Sequence, residues 1–596
     1  MRLERDATFR TVDGKELYYR YWPVEHGRPR GAILLFHRGH EHSGRVAHLV
    51  EELDLPDFAL FAWDARGHGR SPGSRGHSPS VATSVADVQA FVDHVADRHG
   101  FDVETIAVIG QSLGATLLAG WAHGYAPRIR AMVLAAPALR VKLYVPFARP
   151  ALRFMHAIRG DFVVNSFVNA RLLTDDQARI ASYESDPLIT RAISVGVLIG
   201  LHDLAARVVA DAAAITVPTQ ILVSGRDYVV ARRPQIELYE HLGARTKELH
   251  LFDGFRHDTL GEKNRAPAVA HARRFLLERF EAPFERPSLL DADERGFTRR
   301  EADVIAEPLA RASARGLYWR LVRFGVHAAG RISAGIRLGI TTGFDSGPSL
   351  DYVYRNVASG RTWLGRWIDR RYLDAIGWRG IRERKLDVEA LIRDAVERVG
   401  RERRPVRIVD VAAGSGRYVL DAVDRTRLPD AIELRDYRRD NVNAGRTLID
   451  ERGLASIASF VEADALDPPV AALHGRSYTI GVVSGLYELY ADNGVVRRSL
   501  EALAAEIEHG GYLIYTGQPW HPQLEFIARA LTSHRGGAPW AMRRRTQAEL
   551  DELVAAAGFT KIAERVGSSG IFTVCLARKT RGACSAHDVP AKRLSA

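Results

Sequence analysis

Over the first 280 residues, apolar positions fall in short continuous runs separated by amphipathic stretches. Ala32–Phe36, Ala59–Trp63, Ile106–Ile109, Met132–Ala135 and Gln220–Val223 are almost wholly apolar, the pattern of strands buried on both faces of a parallel sheet. Between them lie segments such as Val85–His99, with apolar residues at helical spacing. Strand and helix in alternation predict an open α/β sheet. FRTVDGKELYYRYW places β-forming residues on both sides of Asp13-Gly14, which predicts an opening hairpin. The rhythm breaks between Arg140 and Ala214, where the segment starting LYVPFARPALRFMHAI is apolar and helical. It reads as a cap inserted between two sheet strands, spanning about 140–214.

A different pattern follows. Pro308–Phe344 holds six arginines and no acid, with Leu317, Leu321, Phe324, His327, Ile332 and Ile336 at helical spacing and glycines at 325, 330, 335 and 339 that weaken a helix in water. From Asp387 a second α/β rhythm begins, with strands expected at Arg407–Val411, Ala431–Arg435, Ser459–Val461, Thr479–Val483 and Tyr512–Tyr515. The expected plan is a first α/β domain over 1–285, a basic helical connector over 286–384, a second α/β domain over 385–578 and a disordered polar tail over 579–596.

Composition narrows the classes. Hydrophobic residues make up 46% and the formal net charge is +11, a globular chain that tolerates an anionic partner. The two cysteines, Cys575 and Cys584, make neither a disulfide framework nor a four-ligand zinc site. The N-terminal MRLERDATFR lacks an apolar signal core. The longest apolar stretches, such as Ile193–Leu201, fall far short of the roughly 20 residues of a membrane span. A cytoplasmic protein is expected, with peripheral contact at the inner membrane face as an option left by the connector. Its arginines and aromatics suit an anionic membrane surface, a nucleic-acid path or, the favoured reading, a helical extension that covers the second domain and forms part of its acceptor pocket.

The first candidate site is Gly110-Gln111-Ser112-Leu113-Gly114, between the strand IAVI and the helical ATLLAGWAHGY. This is the G-x-S-x-G elbow, whose glycines allow a tight strand-to-helix turn that exposes the serine. A serine hydroxyl needs a base held by a third group, here expected in the order serine, acid, histidine. Asp227 follows the strand QILVSG and His257 lies in ELHLFDGFRHD. Asp253 and Asp258 are rival acids expected to shape the histidine loop, and His250 is read as a packed or exposed strand residue. The oxyanion is expected to meet the N–H of Leu113 and one from the loop His37–Arg45, placed at Gly39. Three histidines and Glu41 in that loop match no zinc motif, so no metal is expected.

The segments FHRGHEHSGR, WDARGHGRSPG, GQSLG, SGRD and FRHD together resemble the monoacylglycerol lipase and lysophospholipase branch of the α/β-hydrolases over about residues 8–280. The resemblance implies cleavage of an acyl ester through an acyl-serine, with Ser112 as nucleophile, His257 as base then acid, Asp227 as its orienter and the cap holding the acyl chain. The family usually carries His-Gly where this chain has His37-Arg38, and a further glycine where it has His40.

The second candidate site is RIVDVAAGSGR, a strand running into a glycine turn and then a helix. Val419 stands where a dinucleotide fingerprint requires glycine. Asp410, Gly414 and Gly416 instead match D-x-x-x-G-x-G, and residues 385–578 resemble class I S-adenosylmethionine-dependent methyltransferases. The resemblance implies that cofactor, with Asp436 at the ribose hydroxyls, Asp464-Ala465 at the adenine, and Val482-Val483-Ser484-Gly485-Leu486-Tyr487 at the fourth strand's end facing the methyl donor; Ala412 replaces the usual first glycine. Tyr487, Glu488, Tyr490 and His521 are candidates for the acceptor side. Asp467-Pro468-Pro469-Val470 follows the third strand rather than the fourth and is read as a loop.

The expected whole is a bifunctional, lipid-directed enzyme acting on a small-molecule or lipid ester. The alternatives are a methyltransferase joined to a catalytically impaired hydrolase fold, or a nucleic-acid methyltransferase; nucleic acid is not the expected partner. The acyl chain, methyl acceptor and oligomeric state are left open.

Overall fold

The computed structural model describes residues 2–145, 147–284, 286–310, 312–423, 428–466, 477–535 and 539–580. They form two compact units that divide after Pro287.

In the first unit, β1 (Arg5–Arg10) and β2 (Glu16–Trp22) pair antiparallel around Asp13-Gly14, with Arg10 opposite Glu16. Then come β3 (Gly31–Phe36), β4 (Phe58–Trp63), β5 (Ile106–Gln111) and β6 (Ala131–Ala135). The inserted segment holds helices Ala148–Arg159, Gln177–Ser185 and Val195–Ala210, with a small hairpin of β7 (Val163–Asn165) and β8 (Ala192–Ser194). The sheet resumes with β9 (Thr219–Ser224) and β10 (Lys247–Phe252). Its order is β1-β2-β4-β3-β5-β6-β9-β10, parallel from β4 to β10. Residues of β3 to β6 are buried throughout, which is why their sequence is continuously apolar. Chain order reverses between β3 and β5, so the loops after these strands meet at a crevice beyond their C-terminal ends.

The second unit contains β11 (Arg407–Val411), β12 (Ala431–Asp436), β13 (Ala458–Glu462), β14 (Tyr478–Val483), β15 (Ile507–Gly517), β16 (Phe559–Val566) and β17 (Thr573–Lys579). The order is β13-β12-β11-β14-β15-β17-β16, with the first five parallel and β17 antiparallel to both neighbours. Neither β16 nor β17 is among the expected strands, and β17 alone runs against the others. β16 is an edge strand, half exposed along most of its length, and so lacks the apolar run that marked the others. Between β11 and β14 the order reverses again, opening a second crevice.

The arginine-rich segment forms helices Ala314–Gly330, Ala334–Thr342, Gly347–Arg355 and Trp363–Leu373, followed by a long helix Ile376–Arg401. The helical pattern breaks over Arg331–Ser333, where the Ser333 side chain caps the next helix. These helices belong to the second unit and share a core of Phe344, Val353, Leu373 and Trp378 with Phe572 beside its sheet. Among the described residues, no helix is long and apolar enough to cross a membrane. β17 extends through Lys579, the first residue of the expected tail. Its remainder, with Cys584, and Asp467-Pro468-Pro469-Val470 lie outside the described residues; Cys575 is buried.

Candidate active sites

Ser112 stands between β5 and the helix Leu113–Tyr125 at φ +53°, ψ −111°, a strained left-handed geometry that turns the hydroxyl out of the sheet. A Cβ on Gly110 would lie 2.8 Å from the Ala115 nitrogen, and one on Gly114 would lie 2.6 Å from the Phe36 carbonyl oxygen. Both glycines are therefore required by close backbone approach.

Three loops bring the first set of residues together. His257 Nε2 lies 2.7 Å from Ser112 Oγ, and His257 Nδ1 lies 2.8 Å from Asp227 Oδ2. All three side chains are buried. Asp227 Oδ1 accepts the N–H groups of Val229 and Val230. Burial pushes the Asp227 pKa up, but the His257 ring and these N–H donors outweigh it and hold the carboxylate below its ordinary value. Asp253 is exposed. His250 bonds Glu248 on β10. Gly39 lies against the Leu113 side chain, where a Cβ would come within 3.6 Å of Leu113 Cδ1, so the two residues expected to meet the oxyanion are neighbours.

The loop after β3 contains a buried charge cluster that sequence reasoning missed. Arg38 donates to both oxygens of Glu41, at 2.6 and 2.5 Å, and lies 3.3 Å from Asp258 Oδ2. Asp258 also pairs with Arg179 at 2.9 Å and accepts from Gln111 Nε2 at 2.6 Å. The cluster thus joins the loop after β3 to the residue before Ser112 and the residue after His257. An arginine in an otherwise buried loop was the available signal, but its partners lie as far as 220 positions away.

Several histidines in this unit are buried without a charge. Burial lowers the pKa of His40 to about 4 and that of His68 to about 3, and it also lowers His37. Their unfolded values lie near 6.5. Between that pH and the folded values the unfolded chain binds more protons, so stability present above about pH 6.5 is lost as the pH falls. Urea midpoints are expected to drop from pH 7 to pH 4. His40→Asn is expected to shallow that dependence by about one proton, since asparagine tolerates the φ of +72° at this position. An unchanged slope would remove His40 from the account.

In the second unit, a cavity at the β11–β14 crevice is lined by Gly414, Ser415, Asp436, Asp464, Ala465 and Ser484, among others. Asp436 accepts the N–H of Gly414 and of Arg438, both at 2.9 Å, and Asn441 Nδ2 at 3.0 Å. Burial raises its pKa, and those donors offset only part of the rise. Gly414 has φ +60° with open space where a Cβ would stand, so the turn offers bare backbone to the cavity. Gly416 and Asp410 do not line it. A Cβ on Gly416 would meet Leu434 at 2.3 Å. Asp410 is buried beneath the turn and accepts the Tyr418 hydroxyl, so both residues shape the turn. Ala412 sits at φ +55°, a strain that the usual glycine avoids. Tyr487 also departs from expectation: it is buried in the core and bonds Ser499. Tyr490 lines the glycine-turn cavity, while Glu488 and His521 line a neighbouring one.

A sequence profile described as "Putative methyltransferase" matches residues 272–579, more than half of the chain. The chain belongs to that family. A second profile, described as serine aminopeptidase S33, matches residues 27–264. The uncharacterized protein YnbC of Escherichia coli is 49% identical over 97% of this chain and 98% of its own length. A monoacylglycerol lipase of Mycolicibacterium smegmatis is 25% identical over 43% of this chain and 91% of its own. The crystal structure of the Paleococcus ferrophilus monoacylglycerol lipase covers 44% of this chain and 99% of its own at 26% identity, with a TM-score of 0.40. This family member thus joins an α/β-hydrolase domain related to monoacylglycerol lipases to a methyltransferase-family domain.

Proposed function

We propose that the chain is a bifunctional enzyme, a serine acyl-ester hydrolase and an S-adenosylmethionine-dependent methyltransferase, with lipids as substrates of both. The hydrogen-bonded series Ser112–His257–Asp227 carries the first half. His257 Nε2 takes the hydroxyl proton as Ser112 Oγ attacks the ester carbonyl, then returns it to the leaving alcohol; water repeats the cycle on the acyl-serine. Asp227 holds the ring in the tautomer this requires, and the N–H groups of Leu113 and Gly39 meet the oxyanion.

The second half is supported by the bare backbone at Gly414 and by the family membership. Bound there, S-adenosylmethionine supplies an electrophilic methyl group. Asp436 would hold the ribose hydroxyls, with Asp464 and Ala465 at the adenine. Contact with an anionic lipid surface is supported by exposed Leu321, Phe324 and Trp363, set beside exposed Arg320, Arg323 and Arg366.

Two measurements test the pair of activities. A fluorophosphonate probe is expected to label wild type and spare Ser112→Ala; equal labelling removes the nucleophile assignment. Calorimetric titration with S-adenosylmethionine is expected to saturate for wild type and to weaken at least tenfold for Asp436→Ala, as a charged hydrogen-bond acceptor is lost. No saturable heat with wild type would end the methyltransferase half.

A further inference from the structure

Beside the glycine-turn cavity lies a second one of about 390 Å³, within the size range of small-molecule sites. Its wall is mostly hydrocarbon and aromatic, including Phe344, Trp378, Phe526, Trp540, Met542 and Phe572. It adjoins the first cavity directly, since Asp345, Leu350, Arg384, Gly485 and Leu489 line both. Much of it comes from the arginine-rich helices, through Val326, Ile336, Ile368 and Tyr372.

Against this apolar wall stand a few polar groups. Arg384 Nη1 donates to Glu488 Oε1 at 2.9 Å, and both side chains are more than nine-tenths buried. The other carboxylate oxygen, Glu488 Oε2, has no hydrogen-bond partner among the described residues, and neither does Gln518 Nε2. A buried acceptor left open is costly unless something donates to it. A ligand that completes this cavity therefore brings a hydroxyl or N–H group to Glu488 and hydrocarbon to the rest. A carboxylate ligand would set a second anion against Glu488. Few polar groups are present to match a polyhydroxy compound.

We propose that this cavity takes the methyl acceptor, a lipophilic alcohol, and that Glu488 is the base that receives its proton. The inference rests on the methyltransferase reading and names its substrate class. In the step, the alcohol oxygen forms a bond to the methyl carbon, the carbon–sulfur bond breaks with its electron pair going to sulfur, and the hydroxyl proton moves to Glu488 Oε2. Burial raises the Glu488 pKa, and Arg384 offsets only part of that, which makes the carboxylate a stronger base. His521 is the rival base on the same wall, but its Nδ1 accepts the Gln523 N–H and burial lowers its pKa to about 4, whereas Glu488 Oε2 has no partner among the described residues. Glu488 is held by Arg384, which lines both.

The test uses the full chain with 1-dodecanol, dodecanoate and dodecane as probes. Binding is read from tryptophan fluorescence, to which Trp378 and Trp540 report, and transfer from labelled S-adenosylmethionine. Dodecanol is expected to bind wild type saturably and more tightly than dodecanoate. Glu488→Gln keeps an oxygen for Arg384; it is expected to weaken dodecanol about tenfold, to leave dodecane unchanged and to slow transfer at least a hundredfold. Its affinity for S-adenosylmethionine should stay as in wild type. Ile527→Trp, which fills the cavity, is expected to weaken all three probes, again without affecting the cofactor. The proposal is overturned if dodecanoate binds better than dodecanol, if Glu488→Gln binds and methylates dodecanol like wild type, or if Ile527→Trp leaves binding intact. Dodecanol binding by a chain that fails to bind S-adenosylmethionine would instead defeat the methyltransferase reading and, with it, the transfer step.

Discussion

Replacing Ser112 by alanine is expected to lower ester turnover by about ten-thousandfold or more, with little change in fold. The magnitude follows from the way the three residues act as one unit. His257 lies 2.7 Å from the Ser112 oxygen, so without that oxygen it has nothing to activate, and only the oxyanion donors and substrate binding continue to act. Asp227→Asn should approach the same loss by a different route. The asparagine amide favours the wrong ring tautomer at His257 Nδ1 while the loop, tied by the N–H groups of Val229 and Val230, keeps its course. Titration with S-adenosylmethionine should be unaffected by either change, because every residue assigned to the cofactor lies in the second unit. Hydrolysis assays with short-chain and long-chain esters check the prediction. An alanine variant within tenfold of wild type would mean that the observed turnover arises elsewhere.

Much of the architecture is legible in the chain because burial leaves a mark on composition. β3, β5 and β6 are buried at every position, so each appears as an unbroken apolar run. Ser112, Asp227 and His257 can each be located because a parallel sheet delivers its loops to one edge; Ser112 and Asp227 follow such runs, whereas His257 follows the half-exposed β10. The remainder depends on contacts between distant positions. Asp410 sits at a strand end like Asp436, yet one carboxylate is buried under Tyr418 and the other reaches the cavity; nothing local separates them. Tyr487 and Glu488 are adjacent, but the short 3₁₀ turn Tyr487–Leu489 sends the first into the core and the second to a cavity wall. That wall draws on helices from 314 to 401 and on Phe572, so no stretch of sequence announces it.

The cluster around Arg38 shows what such distant contacts control. Arg38→Met is expected to destabilise the first unit by about 3–5 kcal/mol, the usual consequence of removing one partner from a buried ion pair. Glu41 would lose both of its short bonds to the guanidinium, and Arg45 at 3.4 Å is a poor substitute. At present burial pushes Glu41 up while Arg38 more than offsets it, so the carboxylate sits below its ordinary pKa. Without Arg38 the balance reverses and Glu41 takes up a proton or draws in water. Asp258 keeps Arg179 and Gln111 but loses its link to the loop after β3. A unit of this size shifts by about 2–3 °C per kcal/mol, so thermal unfolding should begin roughly 10 °C lower. Ester turnover measured below that temperature should also fall, because Gly39 is adjacent to Arg38 and positions its N–H through the same loop. The double variant Arg38→Met/Glu41→Leu separates the two effects. It removes the stranded anion, so most of the stability should return, whereas turnover should stay low if the Arg38–Asp258 contact aligns the loop with His257. Recovery of both would reduce Arg38 to a counter-ion for Glu41, and a single variant within 1 kcal/mol of wild type would show that the cluster contributes little to holding the loop.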